Sequence, residues 1–223
     1  MSFLRQALAI AHKDVVAEFR SREIIISVPV FALLVLIIFN FAFSVDGATM
    51  TLIAPGVLWV AFSFAGVLAL NRAFITEKED CCLEGLLASP TGREAIFFGK
   101  MLGSLFFMLL VEAIILPIFA LLFNINIFQI EIIVVTVLGT VGFTAIGTIF
   151  SALAVNTRAR EMVLPVLFLP VVSPIIIAVV ESSALALDGG GFGDMAIWLT
   201  IIIAFDIIFL TVPLLVFSYV IEE

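Results

Sequence analysis

Two carboxylates stand where water does not reach. Glu112 lies midway along the apolar run 101–123, and Asp206 midway along the run 195–220. A charge at bilayer depth costs at least about 2.5 kcal/mol, so such groups are usually buried and often functional. No Lys, Arg or His lies at the same depth to pair with them. They read as proton carriers or the lining of a polar path. They read equally as neutral acids hydrogen-bonded to a Ser, Thr or carbonyl of a neighbouring helix. Other chemistry is thin. Cys81 and Cys82 are adjacent and His12 is the single histidine. Zinc sites need four ligands at characteristic spacings, so both cysteines are expected to remain thiols and no metal is expected. "GREAIFFGKM" places six residues between Gly92 and Gly99, with Met101 after Lys100. A phosphate-binding loop needs four, and a hydroxyl after the lysine. No catalytic residue is assigned to this chain.

The composition says what must hold these groups. Of 223 residues, 64% are hydrophobic and 13% charged, and the mean hydropathy is +1.34. A soluble domain is about 45–50% apolar, so the expected solvent is a bilayer. A span takes roughly 20 apolar residues. Six such runs are present, about 24–45, 50–75, 101–123, 132–155, 162–180 and 195–220. Runs such as "VFALLVLIIF" do not alternate as the strands of a membrane barrel would. The expected fold is all-α, a single polytopic unit over 1–223.

All ten cations fall in three places: Arg5, Lys13, Arg20 and Arg22; Arg72, Lys78, Arg93 and Lys100; Arg158 and Arg160. With six spans these regions share one side, which the positive-inside rule makes the cytoplasm. Both termini are therefore expected there, and the first apolar run is expected to stay as an anchor. The outer "DGGGFGD" (188–194) reads as a turn, since glycine adopts unusual backbone angles cheaply.

The segment before the first span reads as an amphipathic helix over 1–23. Phe3, Leu4, Ala7, Leu8, Ala11 and Val15 form one stripe, opposite Arg5, Gln6, His12, Lys13 and Arg20. Such a helix can lie in the headgroup plane. Asp14 and Glu18 fall inside the apolar arc, where Lys13, Arg22 or another protein would have to partner them. In the fourth span Thr136, Thr140, Thr144, Thr148 and Ala152 recur every fourth residue, near Gly139, Gly142 and Gly147. Small residues so spaced let helices pack closely. Pro165, Pro170 and Pro174 crowd the fifth span. Each removes a donor and bends the helix, which the membrane tolerates only where protein or water satisfies the freed carbonyls.

The longest connection, 76–98, contains "EKEDCCLEGLLASPTGRE" with seven charged residues. Leu83, Leu86 and Leu87 share one helical face, beside Glu79, Asp80 and Glu84, and Ser89-Pro90 ends the pattern. A short amphipathic helix with nothing of its own to pack against suits a groove on another protein. With no engine on this chain, the expected engine is a separate ATPase.

The layout resembles the type-2 ABC exporter permeases, and more narrowly the B subunits of the cytochrome c maturation system, the CcmB haem exporter permeases. "EDCCLEGLLASP" matches their Glu-Asp-x-x-Leu-Glu-x-Leu-Leu-x-Ser-Pro pattern at Glu79, Asp80, Leu83, Glu84, Leu86, Leu87, Ser89 and Pro90. "APGVLWVAFSFAGVLALNRAF", "LGT" (138–140) and "VLPVLFLPVVSPI" are similar to segments of spans two, four and five. Cys82 stands where the family carries glycine, and Glu112 and Asp206 are not part of its pattern. The resemblance implies an ATPase partner in a two-plus-two complex, with ATP and Mg on that partner. It also implies self-association, haem as cargo, haem-handling membrane subunits and a haem chaperone. The setting would be the inner membrane, with no cofactor on this chain and no nucleic acid. The alternatives are a type-2 permease for lipid, polysaccharide or drug, and a proton-coupled carrier using Glu112 and Asp206.

Overall fold

The computed structural model describes residues 3–21, 23–43, 47–79, 91–155 and 164–222. Among these all regular structure is helical. The order is α1 (Phe3–Ser21), α2 (Glu23–Ala42), α3 (Gly47–Glu79), α4 (Arg93–Phe123), α5 (Ile130–Val155), a π-helical turn (Leu164–Phe168), α6 (Leu169–Leu187) and α7 (Ala196–Glu222). Six stretches are long and apolar enough to cross a membrane: Ile25–Ala42, Leu52–Leu70, Arg93–Phe123, Ile130–Ala154, Val166–Leu187 and Ala196–Pro213. The outer helices present apolar faces outward, with Val30, Leu34 and Ile38 on α2 and Ile197, Ile207 and Val212 on α7 exposed. Faces of that size are untenable in water and suit lipid.

α5 is the central post, packed against α3, α4, α6 and α7. In lipid no hydrophobic force drives helices together, so close contact between small residues must. Gly139, Gly142 and Gly147 supply it. A Cβ at Gly139 would lie 2.5 Å from Val179 Cγ1 and 2.9 Å from the Trp59 ring, and one at Gly147 would collide with Leu70. Ser151 Oγ also donates to the Leu70 carbonyl oxygen at 2.8 Å. The threonine stripe is thus an internal seam, with Thr140, Thr144 and Thr148 at most 1% exposed.

α4 begins at Arg93, eight residues before the span expected to open at Met101. The early start has a physical cause in α1, which lies along these turns. Ala7, Ile10 and Ala11 are buried against α4. Lys100, only 3% exposed, meets Asp14 at 3.1 Å, and Lys13 meets the other oxygen of Asp14 at 3.2 Å. A cation that looked like a membrane boundary is covered and paired by another helix. Ile96 is buried in the same cluster as Ile10 and Phe97.

The seam needs glycine. A Cβ at Gly99 would sit 2.6 Å from Ile10 Cβ and 2.8 Å from the Ala7 carbonyl oxygen, whereas one at Gly103 would reach Asp14 Cβ at 3.4 Å. Gly99→Val is expected to destabilise the protein by about 1–3 kcal/mol through overpacking and to free α1. Gly103→Ala is expected to change little. Limited proteolysis of the first 21 residues checks both: equal resistance in the two variants would contradict this packing.

The three prolines of the fifth span behave differently from one another. Pro165 lies in the π-helical turn. Pro170 occupies the first turn of α6, where a missing N–H costs nothing. Pro174 lies inside α6 and cannot donate to Pro170 O, and Ser173 Oγ donates to that oxygen instead, at 2.8 Å. Below them Phe168 is buried against Phe143, ring centroids 4.9 Å apart. The glycine-rich stretch after α6 is a turn. Gly189 has φ +84°, and Asp194 Oδ2 accepts the Gly191 N–H at 2.9 Å.

Candidate functional site

The polar groups inside the bundle gather around α5. Glu112, 2% exposed on α4, places Oε1 2.6 Å from Thr140 Oγ1. Thr140 is a hydroxyl partner of the kind named among the alternatives read from sequence for this acid. Glu112 Oε2 has no hydrogen-bond partner among the described residues. Asp206, 6% exposed on α7, sets Oδ1 against Gly142 of α5, with Ile175 of α6 beside it. That Oδ1 is also without a partner among the described residues. Positions 140 and 142 point about 160° apart on a helix of 3.6 residues per turn. The two carboxylates therefore approach α5 from opposite faces and do not form one paired site.

A second polar knot joins α3 to α6. Trp59 Nε1 donates to Ser183 Oγ at 3.0 Å, and Ser183 Oγ donates to Val179 O at 2.6 Å. The indole ring fills the space that Gly139 leaves. Sequence reading missed this knot, because a tryptophan and a serine 124 residues apart share no local pattern. It also missed the Lys100–Asp14 pair. There a signal existed, since Asp14 fell inside an apolar arc and needed a cation.

Glu79 is the last residue of α3. Asp80, Leu83, Glu84, Leu86, Leu87, Ser89 and Pro90 lie outside the described residues, as do Cys81 and Cys82. What is described is how the bundle holds both arms of that segment. At about 1.5 Å per residue, the 33 residues of α3 span about 50 Å, more than a hydrocarbon core of about 30 Å. α4 follows with 31 residues and carries α1 on its first turns.

His12 is exposed on α1. Met108 is 2% exposed, and its methyl lies 3.0 Å from where a Gly66 Cβ would be, beside the Phe143 ring. The thioether is packing, not an open ligand.

A family model described as CcmB protein matches residues 5–222. The chain is similar to Heme exporter protein B of Bradyrhizobium diazoefficiens, 30% identical over 160 residues, covering 71% of this chain and 72% of that protein. It is similar to Heme exporter protein B of Pseudomonas aeruginosa, 26% identical over 171 residues, covering 76% and 77%. It is also similar to Heme exporter protein B of Haemophilus influenzae, 30% identical over 166 residues, covering 72% and 75%.

Proposed function

Because this chain belongs to the CcmB protein family, we propose that it is the multi-pass permease subunit of an ABC-type haem export complex serving cytochrome c maturation. The observation that carries this reading is the extent of the match, residues 5–222, which takes in the whole helical bundle. ATP is hydrolysed with Mg on a separate ATPase chain, in a two-plus-two complex. Residues 80–90 dock on that chain through Leu83, Leu86 and Leu87, with Glu79, Asp80 and Glu84 at the rim. Both termini face the cytoplasm, where all ten cations gather by the positive-inside rule. α1 rests in the headgroup plane. In favour of that placement, Leu4, Leu8 and Phe19 are exposed beside its protein-facing flank, and Arg5, Lys13 and Arg20 are exposed beyond them.

The role proposed for this subunit is mechanical. Haem iron is held by His, Cys, Met or Tyr. The packing of Met108 and the exposed position of His12 argue against a ligand set within the described bundle. Motion of the ATPase pair displaces residues 80–90. The α3, α4 and α1 block carries that displacement to membrane subunits that handle haem and load its chaperone.

The test is gentle extraction of the tagged chain in mild detergent, followed by mass spectrometry of what accompanies it. A P-loop ATPase together with haem-handling membrane subunits is the expected result. An ATPase accompanied by lipid-, polysaccharide- or drug-handling proteins would retain the fold and overturn the cargo. Purification of the chain alone, with haem delivery intact when the ATPase is inactivated, would overturn the whole reading.

A further inference from the structure

One face of α6 does not suit lipid. The outward side chains of α2 and α7 include Val30, Leu34 and Ile38, and Ile197, Ile207 and Val212. The outward stripe of α6 carries Pro170, Ile177 and Glu181 exposed, with Ser173, Pro174 and Ala184 half-buried between them. At about 100° per residue, these six fall within roughly 100° of arc. Glu181 is the anomaly among them. It is exposed, yet it stands inside Val166–Leu187, a stretch long and apolar enough to cross a membrane.

The neighbouring helices fix its depth. Val179 and the Trp59 ring both border Gly139, and Trp59 Nε1 donates to Ser183 Oγ at 3.0 Å. Glu181 lies between Val179 and Ser183, so it shares the level of Gly139 and Trp59. Gly139 comes nine residues after Ile130, where its crossing stretch opens, and Trp59 seven residues after Leu52, where its own opens. At about 1.5 Å per residue, these two helices put Glu181 about 10–14 Å inside the apolar layer. α6 itself agrees, since the six residues from Glu181 to Leu187 span about 9 Å. Val179 faces α5 here, and a residue two positions on points about 160° away, out of the bundle.

A charged group at such depth is costly and usually has a partner. Lysine and arginine can reach back to the interface along their long stems; the shorter glutamate does not. Among the described residues nothing bonds Glu181. The chain has no cation to offer it. All ten Lys and Arg lie before the first span, around the connection from α3 into α4, or after α5, toward the opposite ends of these helices. A second copy in the same orientation repeats that distribution and cannot supply the missing charge.

We propose that this face of α6 docks a membrane-spanning helix of a different chain, one that carries Lys or Arg at the depth of Glu181. The small side chains of Ser173 and Ala184 let the two backbones approach, and the ion pair takes the acid out of lipid. That the partner is a haem-handling membrane subunit rests on the function proposed above; the requirement for its cation does not.

The test replaces Ile177, one turn from Glu181, with a photo-reactive residue in the full chain in its native membrane. A crosslink to another membrane chain is expected, within a span that contains Lys or Arg. Glu181→Gln is expected to weaken it roughly tenfold or more, and Glu181→Lys to abolish it. Exchanging the partner's cation for glutamate is expected to restore the crosslink to Glu181→Lys. The same probe in place of Ile207, on the lipid-facing side of α7, is expected to capture no such chain. A crosslink to a second copy or to lipid alone, none at all, or one indifferent to Glu181→Lys would each overturn the proposal. A reciprocal pair formed with a chain that handles no haem would uphold it and overturn the haem reading instead. Unchanged Trp59 fluorescence in Glu181→Gln reports that the bond to Ser183 is kept.

Discussion

Gly139→Leu is expected to lower the unfolding midpoint in detergent by a large margin. The cause is the junction of three helices at that point. A first side-chain carbon would already lie 2.5 Å from Val179 on α6 and 2.9 Å from the Trp59 ring on α3. Three further carbons have nowhere to go, since the indole is held by its bond to Ser183. Overpacking a filled core costs about 1–3 kcal/mol and sometimes more, and leucine here belongs at the top of that range. Trp59 fluorescence reads the result at the site itself. Gly56→Ala is the control, because a Cβ there meets nothing within 4 Å and replacing a helical glycine by alanine gains up to about 1 kcal/mol. Equal midpoints for the two variants would mean that α5 is not the post around which α3 and α6 pack.

The second large effect falls on residues 80–90 and rests on the docking proposed above. Leu83→Ala with Leu87→Ala is expected to leave insertion and yield unchanged while detaching the ATPase. Two leucines removed from an interface forfeit about 1.5 kcal/mol each at the low end, so binding weakens roughly 100-fold. Haem delivery to the chaperone should fall with it. Quantitative co-purification and a delivery assay check both. An ATPase retained in full with delivery intact would remove the mechanical role from this segment, and Glu79→Gln then tests whether charge alone holds the partner.

The sequence by itself determined the number of spans and their helical character. Each of these depends on local composition: an apolar run long enough to cross, without alternation, must be a helix in lipid whatever its neighbours are. The small-residue stripe of α5 was legible for the same reason, because spacing by four is a property of one helix. The start of α4 was not legible. Lys100 looked like a boundary until Asp14 of α1 was placed against it at 3.1 Å. The bends of the fifth span were legible as prolines. That Ser173 replaces the donor which Pro174 lacks needed the chain to be folded around them. Glu112 and Asp206 were legible as buried acids, yet only the tertiary structure decided that Thr140 meets one and Gly142 the other, from opposite faces of α5. Which helices adjoin, and how each is rotated about its axis, is fixed by side-chain fit between segments far apart in the chain. No periodicity within one segment encodes that fit.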